Sequence, residues 1–182
     1  AQLNRSLNET EDEAINAQVL ANTATAANEG VAFDVAVQDC MNILCEALGW
    51  EAAHLWIRND DGSVVPTSLE SANVDPVYAP LFLGADEAGS GWRKFLPQVV
   101  AESRREVFRA DLGGDSRADA GEAIGIRAVL VWPVIIDGKV DAVIEFFARR
   151  DIVIDQRARR LLNHVALQLA HVRGRELARG RI

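Results

Sequence analysis

Cysteine is scarce in this sequence, which contains only Cys40 and Cys45. The two lie five residues apart on a predicted helix, so their side chains point in different directions and predict neither a disulfide nor a metal site. A reactive thiol would need a neighbouring base or a resolving partner, and the sequence places neither beside them. We therefore interpret both residues as buried structural thiols.

Long apolar runs and an excess of positive charge are also missing. No hydrophobic run is long enough to cross a bilayer, and residues 1–14 lack the charged and then apolar pattern of a secretion signal. The net charge of -8 disfavours a nucleic-acid partner. The length of 182 residues favours one folded domain with helical extensions over two domains.

The strongest local signal is Asp137-Gly138, which lies between two apolar flanks within residues 124–147. An Asp-Gly pair favours a type I′ turn and predicts a hairpin of two strands, Ala128–Ile136 and Lys139–Ala148. The first strand is apolar at every position, so both of its faces should be covered. Because proline cannot donate to a strand ladder, Pro133 predicts a bulge or an unpaired edge.

Helices are predicted before and after this hairpin. Residues 3–28 fit an acidic, alanine-rich helix whose seam begins at Leu3 and Leu7 and repeats at coiled-coil spacing. Residues 33–48 carry an apolar stripe that Gly49 ends. After Asp155, a good N-cap, a closing helix should run to about residue 177.

The closing helix carries apolar residues at three-four-three spacing: Leu162, Val165, Leu169 and Val172. We predict two apolar faces, of which one packs on the sheet and the other meets a partner. Together with Leu3 and Leu7, these four residues form the candidate dimer interface.

The middle of the chain predicts shorter elements. Strands at 52–58 and 63–69 flank a turn rich in Asn, Asp and Gly. A loop region at 72–91 precedes a short helix at 92–103 and a strand at 106–109, and residues 111–122 have loop composition. Along the first strand, His54, Trp56 and Arg58 share a face that suits a pocket wall.

This order of elements resembles a GAF domain. The stretches that carry the resemblance are ALGWEAAHLWIRNDDG (47–62), GSGWRKFLPQVVAESRREVFRAD (89–111) and GIRAVLVWPVIIDGKVDAVIEFFAR (125–149). They are similar to GAF modules of multidomain bacterial signalling proteins such as histidine kinases and diguanylate cyclases. The resemblance covers residues 31–172, which leaves 1–30 and 173–182 as linker helices.

The resemblance implies an α+β, profilin-like fold. An antiparallel sheet would carry long N- and C-terminal helices on one face, and residues 72–122 would enclose a small-molecule pocket on the other. It also implies a non-catalytic, cytoplasmic sensory module that pairs as a homodimer through its terminal helices. Such a module would relay a small-molecule or upstream signal to an output domain in the same parent chain.

The family's ligands can be compared with the residues present. The cyclic-nucleotide motif begins with Asn-Lys, but neither Lys94 nor Lys139 follows an asparagine, so a cyclic nucleotide is disfavoured. Covalent bilin attachment needs a cysteine beyond the middle of the domain and is excluded. Since His164 and His171 lie on the closing helix, His54 is the remaining axial ligand for haem, which stays an alternative.

An enzyme of the methionine sulfoxide reductase type is a further alternative, but it needs pocket cysteines that this pattern does not provide. If a ligand binds, the candidate pocket residues share aromatic or charged side chains: His54, Trp56, Trp92, Arg93, Arg127, Trp132 and Glu145. Tryptophans can stack on a planar ligand and arginines can pair with an anionic one. The competing interpretation is a filled pocket in a ligand-free dimerisation module, with the tryptophans in the core and Glu145 paired with an arginine.

Overall fold

The structure is a computed structural model that describes residues 31–84 and 94–180, together with positions 2–7, 9, 10, 13, 14, 17, 18 and 21. The described positions before residue 22 are helical and exposed, and the remainder of the predicted 3–28 helix lies outside the described residues. Within the described residues, no helix combines the length and the apolar character that crossing a bilayer requires.

A five-stranded antiparallel sheet forms the centre of the domain, with the strand order β2-β1-β5-β4-β3. The strands are β1 (Ala52–Arg58), β2 (Val64–Glu70), β3 (Val107–Arg109), β4 (Ala128–Ile136) and β5 (Lys139–Ala148). The helices are α1 (Phe33–Leu48), α2 (Leu96–Ser103), α3 (Ala118–Ile124) and α4 (Gln156–Arg179), and a 3-10 helix spans Pro76–Phe82. These elements confirm the predicted α+β fold with terminal helices on the sheet.

The central hairpin forms as predicted. Asp137 and Gly138 both have positive φ, 50° and 77°, as a type I′ turn requires. Strand β3 pairs with β4 only at residues 129–131, so the β3 side of β4 is open from Trp132 onward among the described strands. Pro133 therefore lies on an open edge, although its pairing with Val143 of β5 is unbroken.

A bulge lies close to this proline. The register shifts between Val134 and Ile135, which pair with Ala142 and Val140, so Asp141 of β5 has no residue opposite it. A bulged residue can turn its side chain out of the regular alternation. Asp141 uses this freedom to reach α4, as described below.

The helix-side core lies between the sheet and the helices α1 and α4. The residues that α4 contributes include Leu162, Val165, Leu169 and Val172, each no more than 2% exposed. The four residues assigned to a dimer interface thus pack inside the protomer, where a partner cannot reach them. Their spacing indicated an apolar face correctly, but that face lies on the sheet.

The pocket-side core covers the opposite face of the sheet. Trp56, Val131 and Phe147 of the sheet pack there against the 3-10 helix, α2 and residues 110–126. Helix α3 forms within the stretch of loop composition, and Gly121 lets it pack closely on Leu112: a Cβ there would lie 2.8 Å from Leu112 Cδ1. These loops and short helices are the loop layer that positions the candidate site.

Candidate functional site

The guanidinium of Arg117 is the centre of the pocket-side core. Arg117 precedes α3 and is 6% exposed. Its Nε donates to Asp115 Oδ1 (2.9 Å), and its Nη2 donates to Asp115 Oδ2 (3.1 Å) and Glu145 Oε2 (2.8 Å). Its Nη1 donates to Glu145 Oε1 (2.7 Å) and to the carbonyl of Leu81 (2.9 Å). Since a guanidinium has five N–H groups, all of its donors have a partner inside the protein.

The two carboxylates join this arginine to different layers. Glu145 lies in the middle of β5 with no exposed surface and also accepts the indole N–H of Trp56 at 3.1 Å. Asp115 lies in the loop layer and accepts the backbone N–H groups of Leu96 and Arg117, both at 2.8 Å. We call Trp56, Asp115, Arg117 and Glu145 the Arg117 network. This network connects the loop layer to the sheet through hydrogen bonds and ion pairs.

Aromatic rings surround the guanidinium. Its central carbon lies 4.7 Å from the ring centroid of Phe95, 5.7 Å from that of Phe147 and 5.8 Å from that of Trp56. The negative faces of such rings attract a cation within about 6 Å. The rings therefore stabilise the charge of Arg117 as well as exclude water from it.

The charges of the network are not balanced one to one, because two carboxylates face a single guanidinium. Burial raises the pKa of Glu145 above its usual range, although Arg117 and the Trp56 indole oppose this shift. Burial alone would lower the pKa of Arg117, but the carboxylates of Glu145 and Asp115 raise it above its ordinary value. The positive charge of Arg117 is therefore firmly held by the two carboxylates.

His54 lies on β1 opposite Glu145 of β5 and is 1% exposed. Its Nε2 lies 2.8 Å from the carbonyl of Thr67, so Nε2 donates and Nδ1 is left as an acceptor. Nδ1 has no hydrogen-bond partner among the described residues. A buried acceptor without a donor costs about 1–3 kcal/mol, which makes Nδ1 a candidate ligand contact.

The surroundings of His54 hold it neutral. Phe82 stacks on the imidazole at 4.6 Å between ring centroids, and Trp56 meets it edge-on at 4.7 Å. Burial and the charge of Arg117 lower the pKa of His54 to about 4, against the opposing effect of the Thr67 hydrogen bond. At neutral pH the imidazole is therefore an uncharged acceptor.

The structure brings His54, Trp56 and Glu145 together, but not the other described candidates. Arg127 is exposed and pairs with Asp151 at 2.9 Å. Trp132 is 4% exposed and lies in the helix-side core, so its assignment to the pocket was wrong. Its strand is apolar at every position, and such a run gives no indication of which face each residue takes. Trp92 and Arg93 lie outside the described residues.

Sequence reasoning missed Arg117 and Asp115. Both lie in an acidic, glycine-rich stretch with no periodic pattern, and the contact of Arg117 with Glu145 joins the loop layer to the sheet. The available signal was Glu145 itself, a lone carboxylate in an apolar strand. A buried charge requires a partner, and an arginine in the covering loops was the residue to seek.

The two thiols lie on α1, on the other side of the sheet. Cys40 is buried in the helix-side core, and Cys45 packs against the same core. Burial raises the pKa of Cys45 to about 11 despite a hydrogen bond with Ser71. Neither thiol is therefore suited to act as a thiolate on the pocket side. In the part of the chain that the structure describes, no group of three His, Cys, Asp or Glu side chains could hold a metal ion.

A second polar cluster joins the two ends of the domain. Helix α1 begins without a side-chain cap of its own, and Glu176 Oε1 of α4 accepts the backbone N–H of Phe33 at 2.6 Å. Arg173 pairs with the bulged Asp141 at 2.7 Å, and its guanidinium lies 5.4 Å from the Phe33 ring centroid. We call Phe33, Asp141, Arg173 and Glu176 the end junction. It ties the start of α1, β5 and the end of α4 together.

The sequence profile of the GAF domain family matches residues 31–172. No curated protein sequence matches the chain.

Solved structures share the fold at low sequence identity. The GAF domain of an Acinetobacter phosphoenolpyruvate-protein phosphotransferase has a TM-score of 0.65 at 15% identity, over 92% of this chain and 98% of that one. The phycocyanobilin-bound GAF domain of a cyanobacterial phytochrome has a TM-score of 0.67 at 12% identity, over 88% and 94%. The free methionine-R-sulfoxide reductase of Neisseria meningitidis has a TM-score of 0.64 at 12% identity, over 92% and 91%. Similarity at this level shows the fold alone.

Proposed function

Because the chain belongs to the GAF domain family, whose members generally act as sensory or signalling modules, we propose that it is a non-catalytic regulatory module. The module relays the state of its loop layer to its terminal helices. In this proposal it pairs with a second copy and controls an output domain of the histidine kinase or diguanylate cyclase type in the same parent chain.

One observation carries the proposal: every N–H of Arg117 donates to a group of the protein itself. A catalytic or ligand-binding arginine would keep a donor for its substrate. Here the guanidinium instead joins Asp115 and the Leu81 carbonyl of the loop layer to Glu145 of the sheet. A signal that moves the loop layer must act on this junction.

Strand β5 supplies a physical route from the Arg117 network to the helices. It carries Glu145 in the network and Asp141 in the end junction, four residues apart. Asp141 pairs with Arg173, and Glu176, one turn later on α4, caps α1. A shift of β5 would therefore alter both the start of α1 and the end of α4. Coupling between the Arg117 network and the end junction is a free-energy difference between two arrangements of the domain, and it can be measured.

Hydrogen exchange tests the relay. The triple variant Asp115→Asn, Arg117→Met and Glu145→Leu replaces all three buried charges of the network by neutral side chains, a change that buried ion clusters often tolerate. We expect faster exchange at Phe33 and in the last two turns of α4, beyond the change in global stability. The control is Arg127→Ala, which removes an exposed ion pair. Faster exchange in the loop layer with an unaltered end junction would contradict the relay.

A ligand-sensing function is the second candidate, and the unpartnered Nδ1 of His54 favours it. A ligand that donates an N–H or O–H to Nδ1 would satisfy a buried acceptor, and haem iron is the alternative partner for the same lone pair. The absence of a thiolate on the pocket side supports a ligand that is bound and not converted.

Thermal shift measurements with nucleotides, haem and aromatic metabolites separate the two candidates. A ligand that binds the folded state raises the melting temperature, and the variant His54→Phe should abolish a shift that depends on Nδ1. A flat response across the panel favours the ligand-free module. Turnover of methionine sulfoxide with a thiol reductant would overturn the non-catalytic assignment, and we expect none.

A further inference from the structure

A groove lies on the helix side of the sheet, where α4 passes the open edge of β4. Strand β3 pairs with β4 only at residues 129–131, so the edge beyond Val131 has no neighbouring strand among those described. The groove has a volume of about 330 Å³, within the range of about 300–1,000 Å³ that small-molecule sites occupy. Its lining includes Arg104, Glu106, Trp132, Pro133, Ile135 and Leu167.

Two elements supply the apolar surface of this groove. Trp132, Pro133 and Ile135 come from the edge of β4, and Leu167 comes from α4. Leu167 is 60% exposed and Ile135 is 39% exposed, whereas Trp132 is 4% exposed and belongs to the floor. A ligand with an aromatic ring would remove this surface from water and pack against the indole. A further β-strand is a poorer occupant, because Pro133 has no N–H to donate.

Arg104 supplies the available charge in the groove. Its Nη1 donates to the carbonyl of Gly138, in the turn between β4 and β5, at 3.1 Å. A guanidinium has five N–H groups, and this one, unlike that of Arg117, pairs with no carboxylate of the described residues. Glu106, the acid of the groove lining, is neutralised by Arg159 at 3.0 Å. Arg104 therefore keeps donors and positive charge for an anion.

The backbone at Arg104 is also unusual. Arg104 ends α2 in the left-handed region, with a φ of 62°, where glycine is the usual residue because it has no Cβ to strain the backbone. Its N–H donates to the carbonyl of Val100 at 2.9 Å, a bond that glycine would make equally well. The sequence thus places a long cationic side chain where the backbone favours glycine. Backbone strain of this kind clusters at binding sites.

We propose that this groove binds a small aromatic carboxylate. The ring packs against Trp132, Pro133 and Leu167, and the carboxylate accepts the remaining N–H groups of Arg104, whose forked geometry suits two parallel hydrogen bonds. The site lies on the opposite face of the sheet from the Arg117 network. Binding there does not depend on the proposed regulatory function.

The position of the site links it to the end junction. Ile135 borders the bulge that leaves Asp141 without a residue opposite it, and Asp141 pairs with Arg173. Arg104 contacts the turn of the same hairpin through Gly138. A bound carboxylate therefore acts on the hairpin that carries Asp141. This consequence, unlike binding itself, rests on the proposed regulatory function, to which the groove would supply a second signal.

Titration with phenylpropionate, followed by two-dimensional amide NMR, tests the site. We expect saturable shifts in the signals of the groove residues and of the Trp132 indole N–H, which a spectrum of Trp132→Phe identifies. Phenylpropionamide lacks the negative charge and should bind about 10- to 100-fold more weakly, as loss of hydrogen bonds between charged groups predicts. Propionate lacks the ring and should show no saturable shift.

The variant Arg104→Gly separates loss of binding from loss of folding. Glycine suits the left-handed backbone, so the variant should not lower the melting temperature, yet it should bind phenylpropionate about 10- to 100-fold more weakly. Arg105→Gln is the matched control, because Arg105 is the adjacent exposed arginine and does not line the groove. Leu167→Ala should also weaken binding, whereas Leu83→Ala, at an equally exposed leucine outside the groove, should not.

Several outcomes would overturn the inference. Equal affinity for the acid and the amide, or unchanged affinity in Arg104→Gly, would contradict the role of Arg104. Shifts confined to the pocket-side core would place the ligand on the other face of the sheet. A peptide that ends in phenylalanine carries the same ring and carboxylate, so binding of acetylated Gly-Gly-Phe about tenfold or more tighter than phenylpropionate would replace the free acid by a protein C-terminus.

Hydrogen exchange at saturating phenylpropionate tests the link to the end junction separately. We expect altered exchange at Phe33 and in the last two turns of α4. Unaltered exchange with intact binding would refute the second signal and leave the binding site standing. Failure of the relay from the Arg117 network would leave the titration unchanged.

Discussion

Both faces of the sheet are buried, but the side chains that cover them differ in chemistry. The helix-side core contains apolar and sulfur-bearing side chains, among them Phe33, Met41, Phe146 and Leu169. The pocket-side core surrounds the buried polar residues His54, Asp115, Arg117 and Glu145 with aromatic rings. The first face is stabilised in proportion to buried area. The second depends on complete pairing, because each missing partner leaves a buried group unsatisfied.

The largest loss of unfolding free energy should follow from removal of the Arg117 guanidinium. Arg117→Ala leaves two buried carboxylates without their counter-charge, and removal of one partner of such a pair costs about 3–5 kcal/mol. Denaturation with urea measures this loss of unfolding free energy. Arg127→Ala removes an ion pair whose side chains are 60% and 77% exposed, and should cost less than about 1 kcal/mol. Equal losses of unfolding free energy in the two variants would contradict the expected difference between buried and exposed ion pairs.

Truncation of a side chain in the helix-side core should lower the unfolding free energy slightly less than Arg117→Ala does. Leu169 is fully buried on α4, and Leu169→Ala should lower the unfolding free energy by about 3 kcal/mol through lost burial and the cavity left behind. Leu167→Ala, two residues earlier and exposed, is the control and should be nearly neutral in the monomer. Combined with Arg117→Ala, Leu169→Ala should be additive within about 0.5 kcal/mol, because the two residues lie in separate cores on opposite faces of the sheet. A larger coupling would show that the faces are not independent.

The smallest effect concerns pH. Burial lowers the pKa of His54 to about 4 in the folded chain, against 6.5 for a solvent-exposed histidine, so between these values the unfolded state binds a proton that the folded state does not. The stabilisation is present above the unfolded pKa and is lost as the pH falls. Linkage gives a loss of about 2 kcal/mol between about pH 7 and about pH 5.

The comparison variant for this pH effect is His54→Phe, whose stability should fall less over the same range. The raised pKa of Glu145 acts with the opposite sign, since the folded state then binds the extra proton. The difference between the unmodified chain and the variant isolates His54, because Glu145 is present in both. Parallel pH profiles would show that His54 is accessible to protons in the folded chain.

Local signals in the sequence predicted most of the fold. The bounds of α1, β1, β4 and β5 follow from Gly49, Asp137-Gly138 and the apolar patterns. The Asp155 side chain accepts the Ala158 N–H at 2.8 Å, as expected of the cap that begins α4. Each of these signals acts over a few residues, where propensity and capping decide the structure.

The site was less predictable because its contacts are distant in sequence. Strand β4 is apolar on both faces, so Trp132 could not be assigned to one of them. Spacing identified the apolar face of α4 but not whether the sheet or a partner covers it. Arg117 meets Glu145 across 28 residues of sequence, and no periodic pattern links a loop arginine to a strand carboxylate.

The cap that Glu176 provides for α1 has a consequence for biosynthesis. The bond joins two residues 143 positions apart, and a helix N-terminus without a capping acceptor is weaker by about 1 kcal/mol. During translation, this cap can therefore form only after Glu176 has left the ribosome, when almost the whole domain has been made. The helix that is made first among those packed on the sheet is completed by the one that is made last.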